Sequence, residues 1–342
     1  MVNRDLVVDT LRGFACILLV AYHVVGDTPD KGLRIDSGLY RDINDLLIYI
    51  RMPLFTFLSG MVYAYRPFSG ATGHFIKGKL RRLILPMLIL GTLFAVLQSF
   101  TASSNDAIEH WHLLHIIPVG HFWFIESLFI IFMLLIPLEK LRLFNSIPAF
   151  GVVLAIAVGL YVSDLRFPYF SITGAIYLLP YFLCGMALVR YGLMDRLDRK
   201  LGLMLMCLVA ALITVDVLEM LYVDSTRTFF ALSVGVLGCI GLLALRPQSR
   251  ALAYIGQYSY TIYLYHVFFT AGSRIVLDKF GVESVHLFFV SGLLMGLAGP
   301  IITERLFDGT NSSRVLMLGK STTRTSKLWL TRRVRLQSAS PS

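Results

Sequence analysis

Asp9-Thr10-Leu11-Arg12-Gly13, running on through Phe14 to His23, opens the first apolar segment and puts ionisable groups where hydrocarbon is expected. An α-helix turns about 100° per residue. Eleven residues therefore leave Arg12 and His23 about 20° apart around the axis, and Asp9 about 40° from His23. The three form one polar stripe, with Arg12 and His23 about 16 Å apart along it. An ionisable side chain in a membrane helix costs about 2.5–3.5 kcal/mol on insertion scales. Such a stripe is kept only facing a protein interior or a wet cavity, which marks a functional site.

The surroundings decide the fold class. The chain has 342 residues, 56% of them hydrophobic, and a mean hydropathy of +0.71. Apolar runs recur along nearly its whole length, separated by short charged connections. The expectation is an all-α, polytopic transmembrane helix bundle of about ten spans. They fall at about 7–26, 44–65, 83–100, 122–139, 147–164, 172–190, 201–222, 228–246, 252–274 and 285–307. On this count 23 of the 31 Lys and Arg residues lie on one side, seven on the other, and Arg51 falls inside a span. That bias makes both termini cytoplasmic. It also turns the net charge of +10 into a topology signal rather than a nucleic-acid footprint.

Residues 1–308 are read as one integral domain. Residues 309–342, rich in Ser, Thr, Lys and Arg, are read as a basic, disordered cytoplasmic tail or a segment lying on anionic lipid. Cys16, Cys184, Cys207 and Cys239 all sit in apolar runs without a CxxC partner, so they read as buried thiols. Asp9 and Arg12 interrupt the first apolar run, which argues for an uncleaved helix rather than a leader. The absence of an internal repeat gives an inverted-repeat transporter no support.

Further polar features interrupt the apolar runs. Arg51-Met52-Pro53-Leu54-Phe55 and Leu58-Ser59-Gly60 place Arg51 and Ser59 on one face, with Pro53 able to kink the helix. The alternative there is a snorkelling Arg beside a small-residue packing face. The loop Lys77-Gly78-Lys79-Leu80-Arg81-Arg82 is either a topology signal or a phosphate clamp, with Lys79 and Arg82 projecting together. His110, His112 and His115, with His121 beyond, suggest a metal site only faintly, and an interfacial segment around Trp111 is preferred. Glu126 follows His121-Phe122-Trp123-Phe124-Ile125 as a rim residue, as a partner of Arg51 or His23, or as a buried acid contacting the acceptor. Ser259, Tyr263 and His266 share a face, where His266 is either structural or functional. Asp216 and Glu219 lie deep in the seventh segment, paired or facing substrate.

These elements together resemble the acyltransferase 3 family of membrane-bound acyltransferases, which includes polysaccharide and lipopolysaccharide O-acetyltransferases. Asp9-x-x-Arg12-Gly13 with His23 is similar to the family's Arg-x(10)-His element. Pro53-Leu54-Phe55-x-x-Leu58-Ser59-Gly60 is similar to its second-helix motif. Lys79-x-x-Arg82 ahead of Pro86 resembles its basic pair, with Lys in place of the first Arg. Phe122-Trp123-Phe124 resembles its aromatic signature, although the family's carboxylate usually follows a differently spelled Trp motif than the one before Glu126. Ser259-x-x-x-Tyr263-Leu264-x-His266 is similar to its late element.

The resemblance implies an enzyme of a bacterial inner membrane. It would move an acyl group, acetyl first, from cytoplasmic acyl-CoA to a hydroxyl of an extracytoplasmic or lipid-linked glycan. It implies no metal and no nucleic acid, with membrane lipid as surroundings. Acyl transfer to a hydroxyl needs a base, and imidazole titrates near neutrality. His23 is assigned as general base or transient acyl carrier, with Asp9 and Arg12 placing the donor. Lys79 and Arg82 would hold its phosphates. Arg51 and Ser59 would lie along its path, with Glu126 and His266 nearer the acceptor. Proton-coupled transport or flipping of a glycan precursor explains the polar stripe equally well, but leaves the basic cluster at 77–82 without a use. A glycan polymerase would call for a large outer loop, and the outer loops here are short.

Overall fold

The computed structural model describes residues 5–100, 110–217 and 227–322. Among these there is no β-strand. The chain forms α1 (Leu6–Val25), α2 (Leu39–Leu46), α3 (Ile48–Tyr65), α4 (Thr72–Lys79), a π-helical turn Leu80–Ile84, α5 (Leu85–Ser99) and α6 (Trp123–Lys140). It continues with α7 (Ile147–Val162), α8 (Ile172–Arg190), α9 (Arg199–Val217), α10 (Phe229–Ala244) and α11 (Arg250–Gln257). The last helices are α12 (Ser259–Lys279), α13 (Val285–Phe307) and α14 (Asn311–Leu316). The expected segments are helical over their described residues, except that 252–274 is broken at Tyr258 between α11 and α12 and 44–65 at Leu47 between α2 and α3. Six helical stretches are long and apolar enough to cross a membrane, or seven with α2 and α3 taken as one bent span. Helices α7 and α10 are apolar but shorter. The chain is a multi-pass membrane protein.

Helix starts follow local chemistry. In hydrocarbon the first amides of a helix have no water to bond. Asp5 accepts from the amides of Val7 and Val8 at the start of α1, at 3.0 and 3.3 Å. Ser146, Thr228, Ser249 and Ser284 do the same for α7, α10, α11 and α13. Gly26, at φ +95°, ends α1 in a conformation that side chains disfavour.

Two prolines shape the bundle differently from expectation. The bend near Pro53 lies upstream of it, at Leu47, where α2 and α3 meet at 44°. There the Asn44 carbonyl accepts from Arg51 Nη2 at 2.6 Å, so the break is stabilised by a side chain. The expected loop at 77–82 is helical instead. Pro86 has no N–H to give the Arg82 carbonyl four residues earlier, and its ring crowds that carbonyl. The helix widens into the π turn Leu80–Ile84, and the Arg82 carbonyl accepts from the Tyr260 hydroxyl.

Helix contacts are close where glycine permits. A Cβ on Gly60 would lie 2.0 Å from the Phe182 carbonyl oxygen, and one on Gly185 would lie 2.0 Å from that of Phe57. Helices α3 and α8 therefore touch backbone to backbone. Gly13 and Gly256 give α1 and α11 the same intimacy, against Leu252 and Asp9. Near the end of the bundle where α1 begins, Arg190 forms a bidentate pair with Glu139 at 2.5 and 3.0 Å, and the Tyr63 hydroxyl joins Glu139 at 3.2 Å.

The segment after Asp308 departs from the expected disordered tail as far as residue 322. Helix α14 is followed by Leu318, which is fully buried. Lys320 Nζ reaches Glu304 at 2.8 Å and Asp308 at 2.9 Å, and Arg314 pairs with Asp308 at 3.4 Å. The Tyr265 hydroxyl donates to the Met317 carbonyl at 3.0 Å. Apolar burial and ion pairs fasten this strap in place. The basic residues from Arg324 onward, with Asp106, Glu109 and Glu219, lie outside the described residues.

Candidate functional site

Helix α1 is continuous, so its polar stripe runs from one end of the bundle into its interior. Near the chain termini, Asp9 and Arg12 pair at 3.3 Å. They line a cavity of about 310 Å³ with Ser59 of α3, Arg82 of the π turn, Gln257, and Ser259 and Tyr260 of α12. His23, in the last turn of α1, lines a second cavity of about 640 Å³ that opens toward the far end. Its walls include Tyr22, Arg51, His121, Trp123, Tyr177 and Arg274. Tyr263 lines both cavities.

Between them three imidazoles meet. The His23 ring centroid lies 4.8 Å from that of His266 and 5.8 Å from that of His121, and the last two are 5.0 Å apart. His23 comes from α1, His266 from α12 and His121 from the 3₁₀ turn Gly120–Phe122 that leads into α6. Each arrives for a local reason. Tyr263 donates its hydroxyl to the His121 carbonyl, tying α12 to that turn. His266 Nδ1 lies 2.9 Å from the carbonyls of Ile262 and Tyr263. Carbonyls only accept, so Nδ1 carries the proton and Nε2 presents a lone pair. That Nε2 and both ring nitrogens of His121 are buried with no hydrogen-bond partner. Among the described residues, no three His, Cys, Asp or Glu side chains are set to hold a metal ion.

Other expected residues are placed as follows. Arg51, 5% exposed, bonds Asn44 and stacks 3.9 Å over the Tyr22 ring. Ser59 donates to the Phe55 carbonyl at 2.8 Å at the smaller cavity. Arg51 and Ser59 thus serve different cavities, although they share one helix. Lys79 and Arg82 do not project together. Lys79 Nζ sits 3.2 Å over the Phe132 ring and lines neither cavity. Arg82 stacks 3.9 Å over Tyr260 and donates to the Leu318 carbonyl at 2.9 Å. Lys79 precedes the π turn and Arg82 lies within it, so the two side chains end on different aromatic rings.

Glu126 partners neither Arg51 nor His23. It is buried, accepts from the Ser171 hydroxyl at 2.5 Å and lines neither cavity. Asp216 accepts from the Tyr49 hydroxyl at 2.8 Å. His115 pairs with Thr92 at 2.9 Å, away from the three-imidazole cluster.

Sequence reasoning gave His121 no catalytic role, because it stood at the end of a histidine-rich loop. Its signal was position. It opens the aromatic run that faces the Tyr263–His266 side of α12.

Comparison with known families adds one finding. The acyltransferase 3 model, described as an acyltransferase domain, matches residues 5–305. No curated protein and no solved structure matches the chain.

Proposed function

Because the chain belongs to the acyltransferase 3 family, which makes it a membrane acyltransferase, we propose that it moves an acyl group, acetyl first, from acyl-CoA to a glycan hydroxyl. The acceptor is an extracytoplasmic or lipid-linked glycan, and the enzyme works in a bacterial inner membrane with its termini in the cytoplasm. The observation that carries this reading is His23 at the wall of one cavity, with Tyr263 beside it lining that cavity and the one opposite. Transport or flipping, open on sequence alone, gives way to the family match.

The smaller cavity takes the thioester arm of the donor. Arg12 and Arg82 at its rim attract the donor's phosphates. Asp9 holds Arg12 in place, and Ser59 and Tyr260 line the way inward. The acceptor enters the larger cavity. Neutral His23 takes the proton of its hydroxyl as the oxygen attacks the thioester carbonyl. The C–S bond breaks, the ester forms, and the His23 proton passes to the leaving thiolate. The Nε2 lone pair of His266 lies beside His23 and stabilises the imidazolium formed midway. An ester and free coenzyme A leave by opposite cavities.

The test is purified protein incubated with radiolabelled acetyl-CoA, wild type beside His23→Ala and Arg82→Gln. Label should leave coenzyme A only with His23 present, and Arg82→Gln should raise the donor KM about tenfold or more. Turnover unchanged by His23→Ala would overturn the assignment.

A further inference from the structure

The larger cavity holds a cation that the acyl-transfer steps do not use. Arg51 is 5% exposed, yet among the described residues its hydrogen bonds go only to the carbonyl and side-chain oxygen of Asn44, both through Nη2. Its Nε is buried without a partner. No carboxylate among the described residues lies within ion-pair distance of it; the nearby Asp45 instead accepts from Asn44 at 3.2 Å. A buried guanidinium with neutral partners is poorly compensated. A guanidinium is also the group best shaped to hold a carboxylate or phosphate.

The rest of the cavity agrees. Its other charged walls are Arg274, Lys31 and Asp27. Lys31 and Asp27 offset one another at 3.6 Å. Arg274 donates to the Gly32 carbonyl at 3.1 Å, another neutral partner. The balance is two cations. The volume of about 640 Å³ falls in the range of small-molecule sites, and the aromatic residues Tyr22, Trp123 and Tyr177 are among its walls.

We propose that this cavity selects an anionic acceptor, its carboxylate or phosphate held by Arg51 with Arg274 as the second cation. The proposal rests on the acyltransferase reading and names its acceptor class. It also fixes where the charge sits. Arg51 packs on the Tyr22 ring at 3.9 Å, and that ring is 4.9 Å from the His23 ring. One aromatic ring separates anion holder from base, so the charge lies on the acylated sugar or on its immediate neighbour. An acidic sugar and a sugar phosphate both present this chemistry.

The test uses no acyl donor, so its outcome stands whether or not acyl transfer does. Purified protein in lipid nanodiscs is titrated with glucose, glucuronate and glucose 1-phosphate, reading binding and thermal stabilisation. Glucuronate or glucose 1-phosphate should bind at least tenfold more tightly than glucose, and the tighter of the two names the source of the charge. Arg51→Gln should erase the preference and Arg51→Lys should keep part of it. Arg274→Gln, removing only the second cation, should reduce the preference and serves if Arg51→Gln does not fold. Equal binding of the three probes would overturn the proposal, as would a preference that survives both glutamine variants. Loss of anion binding on adding coenzyme A, with Arg51 required for coenzyme A itself, would assign the cation to the donor and overturn it too.

Discussion

His23, His121 and His266 meet at the wall of the larger cavity, and among the described residues the two carbonyls at His266 Nδ1 are the hydrogen bonds that fix a proton there. That asymmetry gives the residues different jobs. His23→Ala should lower kcat by about 10²–10⁴, the usual worth of a positioned base, with the melting temperature nearly unchanged; rate assays beside a thermal melt check this. His266→Phe keeps an aromatic ring but loses the Nε2 lone pair. It should lower kcat while leaving the donor KM alone, and a rise in KM without loss of kcat would make His266 a binding residue. The pairing of Asp9 with Arg12, and the shared face of Tyr263 and His266, were legible from spacing, because helical periodicity alone sets them. The partners of Arg51, Lys79 and Glu126 were not. They depend on which helices become neighbours, as where Lys79 at the end of α4 meets the Phe132 ring of α6.

At the scale of the helix, the bundle rests on a few backbone contacts and one strap. Gly60→Val would drive a side chain into the Phe182 carbonyl, 2.0 Å from where its Cβ must lie. It should cost about 3 kcal/mol or more, given that overpacking alone costs 1–3. Gly151→Ala, with nothing within 4 Å, is the neutral control in the same detergent melt. Glu139→Gln leaves Arg190 without its bidentate partner and should destabilise by about 3 kcal/mol.

The strap bears on function, because the Leu318 carbonyl and Tyr260 together hold the Arg82 side chain. Ending the chain after Gly309 should raise the acyl-CoA KM several-fold and leave the acceptor KM in place, measured with each substrate varied in turn. Composition hid this strap. A run rich in Ser, Thr and Lys reads as solvated tail, and its anchors are one buried Leu, three ion pairs to the end of α13 and the residue after it, and hydrogen bonds from Arg82 and Tyr265 far back in the sequence.

For the molecule as a whole, hydropathy marked the apolar helical stretches, because apolar length is a local property, but not the break at Tyr258 that divides the expected 252–274 segment into α11 and α12. Two cavities facing opposite ends were not visible, since no single helix encloses either. In the proposed reaction, this arrangement lets a soluble donor and a glycan on the other side meet without either crossing the bilayer. The far-end arginines serve this frame. Arg41 donates to the Gly26 carbonyl at 2.7 Å, and Arg227 caps α7 through the Leu160 and Tyr161 carbonyls at 2.8 and 2.9 Å.

The most direct test of the central claim is acyl transfer across a sealed bilayer. Proteoliposomes carry acetyl-CoA on one side only and a glycan acceptor on the other only, with wild type compared to His23→Ala. The account predicts that acetyl ester appears on the acceptor across the membrane with wild type and not with His23→Ala. Ester that forms only when donor and acceptor share a compartment would contradict it.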